Sequence, residues 1–214
     1  MRYLLLTLVL VMANFSGCQV PVAQKASKSS PSSQIQMVKQ VEQQLKVKQY
    51  PFFLVLNGKA RFKGEQRGED WRLYSDPSEE KRISIEKKGS VILLSRGKKK
   101  ETLRDRQFGL LSPRDHLLLL KESVTWTKRL PDRQTKTGTL KGIETQLDSG
   151  VLGKKLGDWM GRAFDDGAAT KASRKFRLRY RIWYHPETEK TAELTIRIIP
   201  LQGTKVQTLH YRFQ

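Results

Sequence analysis

Asp115 and His116 are by residue type the best candidates in this chain for acid–base chemistry, and Arg114 precedes them. A carboxylate beside an imidazole can move a proton if the fold brings a nucleophile or a substrate within hydrogen-bond reach. The preceding Ser112-Pro113 pair favours a simpler explanation. Serine is a preferred N-cap, proline suits the first helical position, and an acid there complements the helix dipole. We interpret this segment as the start of a helix and predict no catalytic residue in it.

The other residues that could support catalysis or bind a metal lack partners in the sequence. His185 and His210 are isolated, and Asp165-Asp166 has no third acidic ligand nearby. The glycines between 150 and 161 have neither the Lys-Ser/Thr ending of a phosphate loop nor a dinucleotide-binding spacing. No serine-nucleophile motif is present. The sequence therefore predicts a protein that is not an enzyme and has no metal site and no cofactor.

Cys18 is the only cysteine, so an internal disulfide is excluded. It follows Met1-Arg2 and an apolar run over 3–13 that would span about 16 Å as a helix, half of a bilayer core of about 30 Å. That length is typical of a secretory signal peptide. Phe15-Ser16-Gly17-Cys18 resembles the lipobox of bacterial lipoproteins, which implies cleavage after residue 17 and acylation of the cysteine, for example with palmitate. An ordinary secretory signal is the alternative.

The segments after the signal peptide predict a tether and a single domain. Residues 18–33 would be the lipidated cysteine and a polar, flexible tether with an r.m.s. reach of roughly 20 Å. Residues 34–214 would form one globular domain, because the chain is long enough for one core and contains 4 Trp, 6 Tyr and 8 Phe. We expect this domain at the extracytoplasmic face of the cell membrane.

The charge of the chain is strongly positive, with 41 Lys+Arg against 21 Asp+Glu and a net charge of +20. Such a field attracts polyanions. Export argues against nucleic acid, so anionic lipid, an anionic wall polymer or a protein partner becomes the expected partner. Arg177, Arg179 and Arg181 occupy alternate positions of a predicted strand and would concentrate charge on one face. A basic surface that serves only solubility is the alternative.

The hydrophobic pattern predicts the elements that carry these residues. Ser33 would cap an amphipathic helix over 34–48. Period-two alternation then predicts a strand over 52–62, a turn between Gly64 and Gly68, and a meander through about residue 103.

The second half of the chain predicts a helix from Ser112, followed by strands over 124–127 and 140–147 around a polar loop at 129–138. A further helix over 151–164 precedes three antiparallel strands to residue 213. In those strands we expect Ile182 opposite Ala192 and Arg181 opposite Glu193.

The order of elements predicts an α+β fold: a curved antiparallel, half-open barrel-like sheet, with the N-terminal helix and two further helices packed on one side. The stretch from Trp71 to Leu94, with its Asp76-Pro77 turn and the following hairpin, resembles bacterial lipoprotein-carrier domains of the LolA/LppX type. The resemblance spans about residues 35–213. It implies an apolar ligand or acyl-chain cavity, which we expect to be lined by Trp71, Trp126 or Trp159.

Two functions remain open on the sequence. The first is capture of a lipid or other amphiphile in the concave face of the sheet, aided by basic residues at its rim. The second is an envelope scaffold or interaction protein, with the face of Arg177, Arg179 and Arg181 docked on anionic wall polymer, anionic lipid or a protein partner.

Overall fold

The structure is a computed structural model that describes residues 31–75, 83–104, 112–148, 150–154, 174–203 and 205–214. The predicted signal peptide, Cys18 and the tether up to residue 30 lie outside these residues. So do the predicted Asp76-Pro77 turn, Asp165-Asp166 and all but the first turn of the predicted 151–164 helix, including Trp159.

The described chain begins with helix α1 and then alternates between strands and one further complete helix. The elements are α1 Pro31–Lys46, β1 Gln49–Leu56, β2 Ala60–Arg67, β3 Asp70–Ser75, β4 Ile83–Lys88, β5 Val91–Arg96, β6 Lys99–Arg104, α2 Pro113–Ser123, β7 Val124–Thr135, β8 Gly138–Leu147, β9 Phe176–Tyr184, β10 Thr191–Pro200 and β11 Gln207–Phe213. Residues 150–154 form a third helical stretch.

All eleven strands belong to one antiparallel sheet in the order β6-β5-β4-β3-β2-β1-β11-β10-β9-β8-β7. The two meanders, β1–β6 and β7–β11, meet where β1 pairs with β11. The sheet is curved and unclosed, and side chains of the helices, including Met37, Leu117 and Leu152, join the core on its concave face. The predicted α+β fold with a half-open barrel-like sheet is confirmed.

Helix α1 covers part of this concave face. Met37 and Val41 lie one turn apart and are almost fully buried, as the predicted apolar stripe requires. The helix begins at Pro31 and ends at Lys46, so both ends lie two or three residues earlier than predicted. Ser33 is therefore inside the first turn of the helix rather than its cap. Proline at a first helical position explains the earlier start.

The predicted single strand over 52–62 is wrong, because Asn57 and Gly58 turn the chain into a β1–β2 hairpin. Both residues have a positive φ, 51° and 70°, which is typical of the central residues in the tight turn of a β-hairpin. Gly64 lies within β2 rather than in a turn. A Cβ there would come within 2.4 Å of the Phe52 ring and 2.8 Å of Leu73, so close packing excludes a side chain at this position.

Helix α2 begins as predicted. Ser112 has extended backbone angles, and its hydroxyl oxygen accepts hydrogen bonds from the backbone N–H groups of Arg114 and Asp115. Pro113 occupies the first turn. The helix thereby buries Leu117 and Leu120 in the core.

The C-terminal meander is confirmed as three strands, but its register differs from the prediction. A bulge between Thr191 and Glu193 shifts the pairing, so that Ile182 faces Leu194 and Arg181 faces Thr195. The predicted loop at 129–138 is mostly strand, because β7 and β8 continue to a turn between Thr135 and Gly138.

Candidate binding site on the two faces of the sheet

The concave face of strands β4–β6 carries apolar side chains that the core only partly covers. Ile85 and Ile92 are buried, whereas Ile83, Leu94 and Leu103 are half-buried at the edge of the core. Leu94 lies opposite Ile85, and Leu103 lies opposite Ile92. We call these five residues the open half of the concave face.

Trp71 connects the open half to the main core. Its register partner on β4 is Lys87, which in turn lies opposite Ile92. The indole is 3% exposed, and its Nε1 has no hydrogen-bond partner among the described residues. A buried indole N–H normally has a partner. Trp71 therefore places one buried hydrogen-bond donor, without a partner among the described residues, at the border of the open half.

Most of the remaining concave face is filled. Leu56, Ile198 and Phe213, which lie at or near the ends of β1, β10 and β11, are half-buried. The following inward side chains of β1, β9, β10 and β11 are at most 9% exposed: Tyr50, Phe52, Leu54, Phe176, Leu178, Tyr180, Ile182, Tyr184, Leu194, Ile196, Leu209 and Tyr211. We call this set, together with helices α1 and α2 above it, the covered half. Away from the strand ends, this set leaves a ligand no apolar surface to contact.

His116 belongs to the covered half. The imidazole is 3% exposed, and its Nδ1 lies 3.0 Å from the Tyr180 hydroxyl. Its ring also contacts that of Tyr211. Burial raises the pKa of both tyrosines, so their hydroxyls stay neutral. These contacts account for His116 as a core residue.

A second buried polar contact lies near the start of α2. The Ser112 hydroxyl donates to the Gln66 side-chain oxygen at 2.8 Å, and both residues are at most 1% exposed. The Gln66 amide donates to the backbone oxygens of Gly68 and Asp70. This contact joins the helix cap to the β2–β3 hairpin and has a structural role.

The convex face carries the arginines that the sequence placed on alternate positions of β9. Phe176, Leu178, Tyr180, Ile182 and Tyr184 point to the concave side, so Arg177, Arg179 and Arg181 point to the convex side. Arg181 is neutralised there by Glu144 on the neighbouring strand, whose side chain is 1% exposed. Lys128 contacts the same carboxylate at 3.3 Å.

The charge state of Glu144 follows from these neighbours. Burial alone would raise the pKa of this carboxyl, but the Arg181 hydrogen bond and the charges of Arg181 and Lys128 outweigh it. The pKa of Glu144 is therefore lowered, and the side chain is ionised at neutral pH.

Two more carboxylates neutralise arginines on the convex face. Glu193 accepts from Arg133 at 2.8 Å, and the Arg133 guanidinium lies 4.4 Å from the centre of the Trp183 ring. Glu65 contacts Arg67 and Arg72. The hydrogen bond from Arg67 is the main reason that the pKa of Glu65 is lowered to about 2.

Trp71 and Trp126, the two described tryptophans of those predicted to line a cavity, lie on opposite faces of the sheet. Trp126 lies opposite Gln146 and beneath Lys128, whose Nζ is 5.5 Å from the centre of the ring. Because Lys128 also reaches Glu144, this ring lies on the convex side. A bulge between Val124 and Trp126 turns it away from the core. Trp71 is on the concave side.

A groove with a volume of about 600 Å³ crosses the convex face where β1 meets β11. Phe53 and Val55 contribute apolar surface, while Arg61, Lys63 and Arg212 add positive charge. His210 also lines it, with its Nδ1 2.8 Å from the Thr195 hydroxyl. Burial, the largest influence, lowers the pKa of His210, so it is neutral at pH 7.

The described residues contain no cluster of three or more His, Cys, Asp or Glu side chains that could hold a metal ion. Within the same residues, no helix has the length and apolar character needed to cross a bilayer.

The fold is similar to that of the lipoprotein LppX from Mycobacterium tuberculosis, at 11% identity and a TM-score of 0.56 over 86% of this chain and 95% of that one. LprF from Mycobacterium bovis aligns at 8% identity and a TM-score of 0.49, over 88% and 94% of the two chains. A LolA-superfamily protein from Nitrosomonas europaea aligns at 10% and 0.33, over 81% and 90%. No protein-family model and no curated protein matches the sequence. The likeness to LppX confirms the predicted fold resemblance.

Proposed function

We propose that this protein is a lipid-anchored, extracytoplasmic lipoprotein, without enzymatic activity, that binds the acyl chain of an amphiphile against the open half of its concave face. The observation that carries the proposal is the partial exposure of Ile83, Leu94 and Leu103 on three adjacent strands, beside a core whose central side chains are buried. These three side chains are diagonal neighbours across the strands, with Arg96 opposite Ile83 and Glu101 opposite Leu94, so they offer an acyl chain an apolar surface bordered by charged side chains.

The polar groups near the open half suit an anionic or hydrogen-bonding head group. The Trp71 N–H is a buried donor without a partner among the described residues. Lys98 in the β5–β6 turn and Lys99 and Lys100 at the start of β6 lie at the edge of the same region and are exposed. An amphiphile with a carboxylate or phosphate head would be attracted to this rim while its chain lies against the apolar side chains.

The anchor is part of the proposal. Acylation of Cys18, with the residues up to 30 as a tether, would hold the domain near the membrane that supplies the amphiphile. Two or three acyl chains give stable anchoring, which a single chain does not. The similar fold of the lipoprotein LppX supports this assignment.

Fluorescence quenching by a bromine-labelled fatty acid tests the binding face. In a chain beginning at Gln19, the acid should quench tryptophan emission, and Trp71→Phe should remove most of that quenching. Trp126→Phe is the control, because its ring lies on the opposite face. Equal loss of quenching in both variants would contradict binding on the concave face.

A pair of substitutions on β6 tests the open half itself. Leu103→Glu should weaken fatty-acid affinity roughly tenfold or more, because it places a charge beside the acyl chain. Thr102→Glu adds the same charge to the exposed convex side of the same strand and should leave the affinity within about twofold. Calorimetric titration measures both.

Metabolic labelling with palmitate tests the anchor. The full chain should take up label and sediment with membranes, and Cys18→Ser should do neither. Unchanged membrane association of the Cys18→Ser variant, with no label in either protein, would overturn the lipoprotein assignment and leave the binding experiments unaffected.

A further inference from the structure

Arg179 and Arg197 are direct cross-strand partners on β9 and β10. Arg197 alternates with the buried Leu194 and Ile196, so both arginines stand on the convex face. Side chains at such positions have Cβ atoms about 5 Å apart, and like charges there destabilise a sheet. The Nε of Arg179 is moreover buried and has no hydrogen-bond partner in the described chain.

Other arginines on the convex face have a carboxylate partner. Arg181 is held by Glu144, Arg133 by Glu193, and Arg67 and Arg72 by Glu65. Among residues that the structure describes, no carboxylate forms an ion pair with Arg179 or Arg197. The register neighbours of the pair are the uncharged Gln146 on β8 and Thr208 on β11.

We propose that Arg179 and Arg197 form a phosphate-binding site on the convex face, separate from the acyl-chain surface. Guanidinium groups donate paired hydrogen bonds to phosphate oxygens, and a phosphate has enough oxygens to accept from two arginines at once. An anion between them also replaces their mutual repulsion with attraction. The amide of Gln146 and the hydroxyl of Thr208 lie on the same row as additional hydrogen-bonding groups.

Thermal unfolding in increasing inorganic phosphate, at constant ionic strength set with sodium chloride, tests the site on the chain beginning at Gln19. The wild-type midpoint should rise with phosphate. Arg179→Gln/Arg197→Gln should abolish the rise, with affinity reduced roughly tenfold or more for the loss of charge-assisted hydrogen bonds. Lys48→Gln/Lys136→Gln removes the same charge from exposed positions away from both proposed sites and should respond like wild type. An equal response of both double variants would overturn the site.

A single variant separates binding from folding. In phosphate-free buffer Arg197→Gln should unfold at a higher temperature than wild type, because the like-charge pair is gone. In saturating phosphate this advantage should disappear, since only wild type has the bound anion. A lower midpoint of Arg197→Gln in both buffers would show that the pair is structural and would contradict the proposal.

Vesicle sedimentation identifies the source of the phosphate. Phosphatidylglycerol vesicles that bind wild type and the lysine variant, but not the arginine variant, would assign a lipid head group, with phosphatidylcholine vesicles as the reference. Equal vesicle binding by all three proteins, alongside a phosphate response lost only in the arginine variant, would assign soluble phosphate. Absence of both responses in wild type would overturn the site.

Discussion

The covered and open halves of the concave face differ in how their apolar side chains are packed, although both are built from alternating strands. In the covered half, the inward residues Leu194 and Ile196 are fully buried beneath the helices. In the open half, Leu94 and Leu103 are only half-buried. The difference indicates that the covered half contributes more to stability, whereas the open half retains the accessible apolar surface where we propose that the amphiphile binds.

The ion pairs on the convex side also differ between the two halves, in how far their carboxylates are exposed to water. The carboxylate of Glu144, beneath the covered half, is 1% exposed and is contacted by two cations. Glu86, on the convex side of β4, is 37% exposed and is contacted by Lys88, which is 75% exposed. Removing one partner of an ion pair costs more stability when the charge left behind is shielded from water than when it is exposed. We therefore expect the loss of Glu144 to destabilise the protein more than the loss of Glu86.

Matched leucine truncations should give the largest effect. Leu194→Ala should lower the free energy of unfolding by about 3–4 kcal/mol, because it leaves a cavity in a closed core. Leu94→Ala should lower it by about 1 kcal/mol, since part of the side chain is already in contact with water. Chemical denaturation measures both. Similar losses at the two positions would show that the halves do not differ in packing.

Replacing matched glutamates on the convex side should lower the free energy of unfolding by less than Leu194→Ala does. Glu144→Gln should cost about 2 kcal/mol, because Arg181 and Lys128 lose their common carboxylate. Glu86→Gln should cost less than about 0.5 kcal/mol.

The cost of Glu144→Gln should also depend on pH. The pKa of Glu144 is lower in the folded state than the ordinary 4.5, so its contribution is fully present above pH 4.5 and is lost as pH falls through the folded pKa. The free energies of unfolding of wild type and Glu144→Gln should therefore differ at neutral pH and converge as the pH is lowered through the folded pKa. A cost that stays constant with pH would assign the effect to packing.

The sequence predicted those elements whose signals are local. The Ser112 cap depends on neighbouring residues, and the alternation of β9 assigns each of its side chains to a face without knowledge of the partner strand. The same alternation correctly predicted that Arg177, Arg179 and Arg181 share one face. Asn57-Gly58 is a local signal as well, because this dipeptide favours a hairpin turn and so argues against the predicted single strand over 52–62.

The features that the sequence did not reveal depend on bulges and on strand pairing. One extra residue after Val124 turns Trp126 to the convex face, and another after Thr191 changes the partner of Arg181. Simple alternation cannot locate such residues. The Arg179–Arg197 pair likewise requires the register of β9 with β10, and the half-burial of Leu103 depends on which part of the sheet the helices cover.

An effect smaller than those of Leu194→Ala and Glu144→Gln is expected at the junction of the two meanders. Asn57 has φ of 51°, and its side-chain oxygen accepts a hydrogen bond from the backbone N–H of Thr208 at 2.8 Å, which links the β1–β2 turn to β11. Asn57→Ala removes this bond and places a β-carbon in a left-handed conformation that asparagine tolerates better, at a cost of about 1–1.5 kcal/mol. Asn57→Gly relieves the backbone strain but still lacks the hydrogen bond, so its loss of unfolding free energy should be smaller.

Hydrogen exchange should show faster opening of β1 and β11 in Asn57→Ala, with β4–β6 unchanged. Equal acceleration across all strands would mean that the two halves unfold as one unit and that their difference is confined to ligand access.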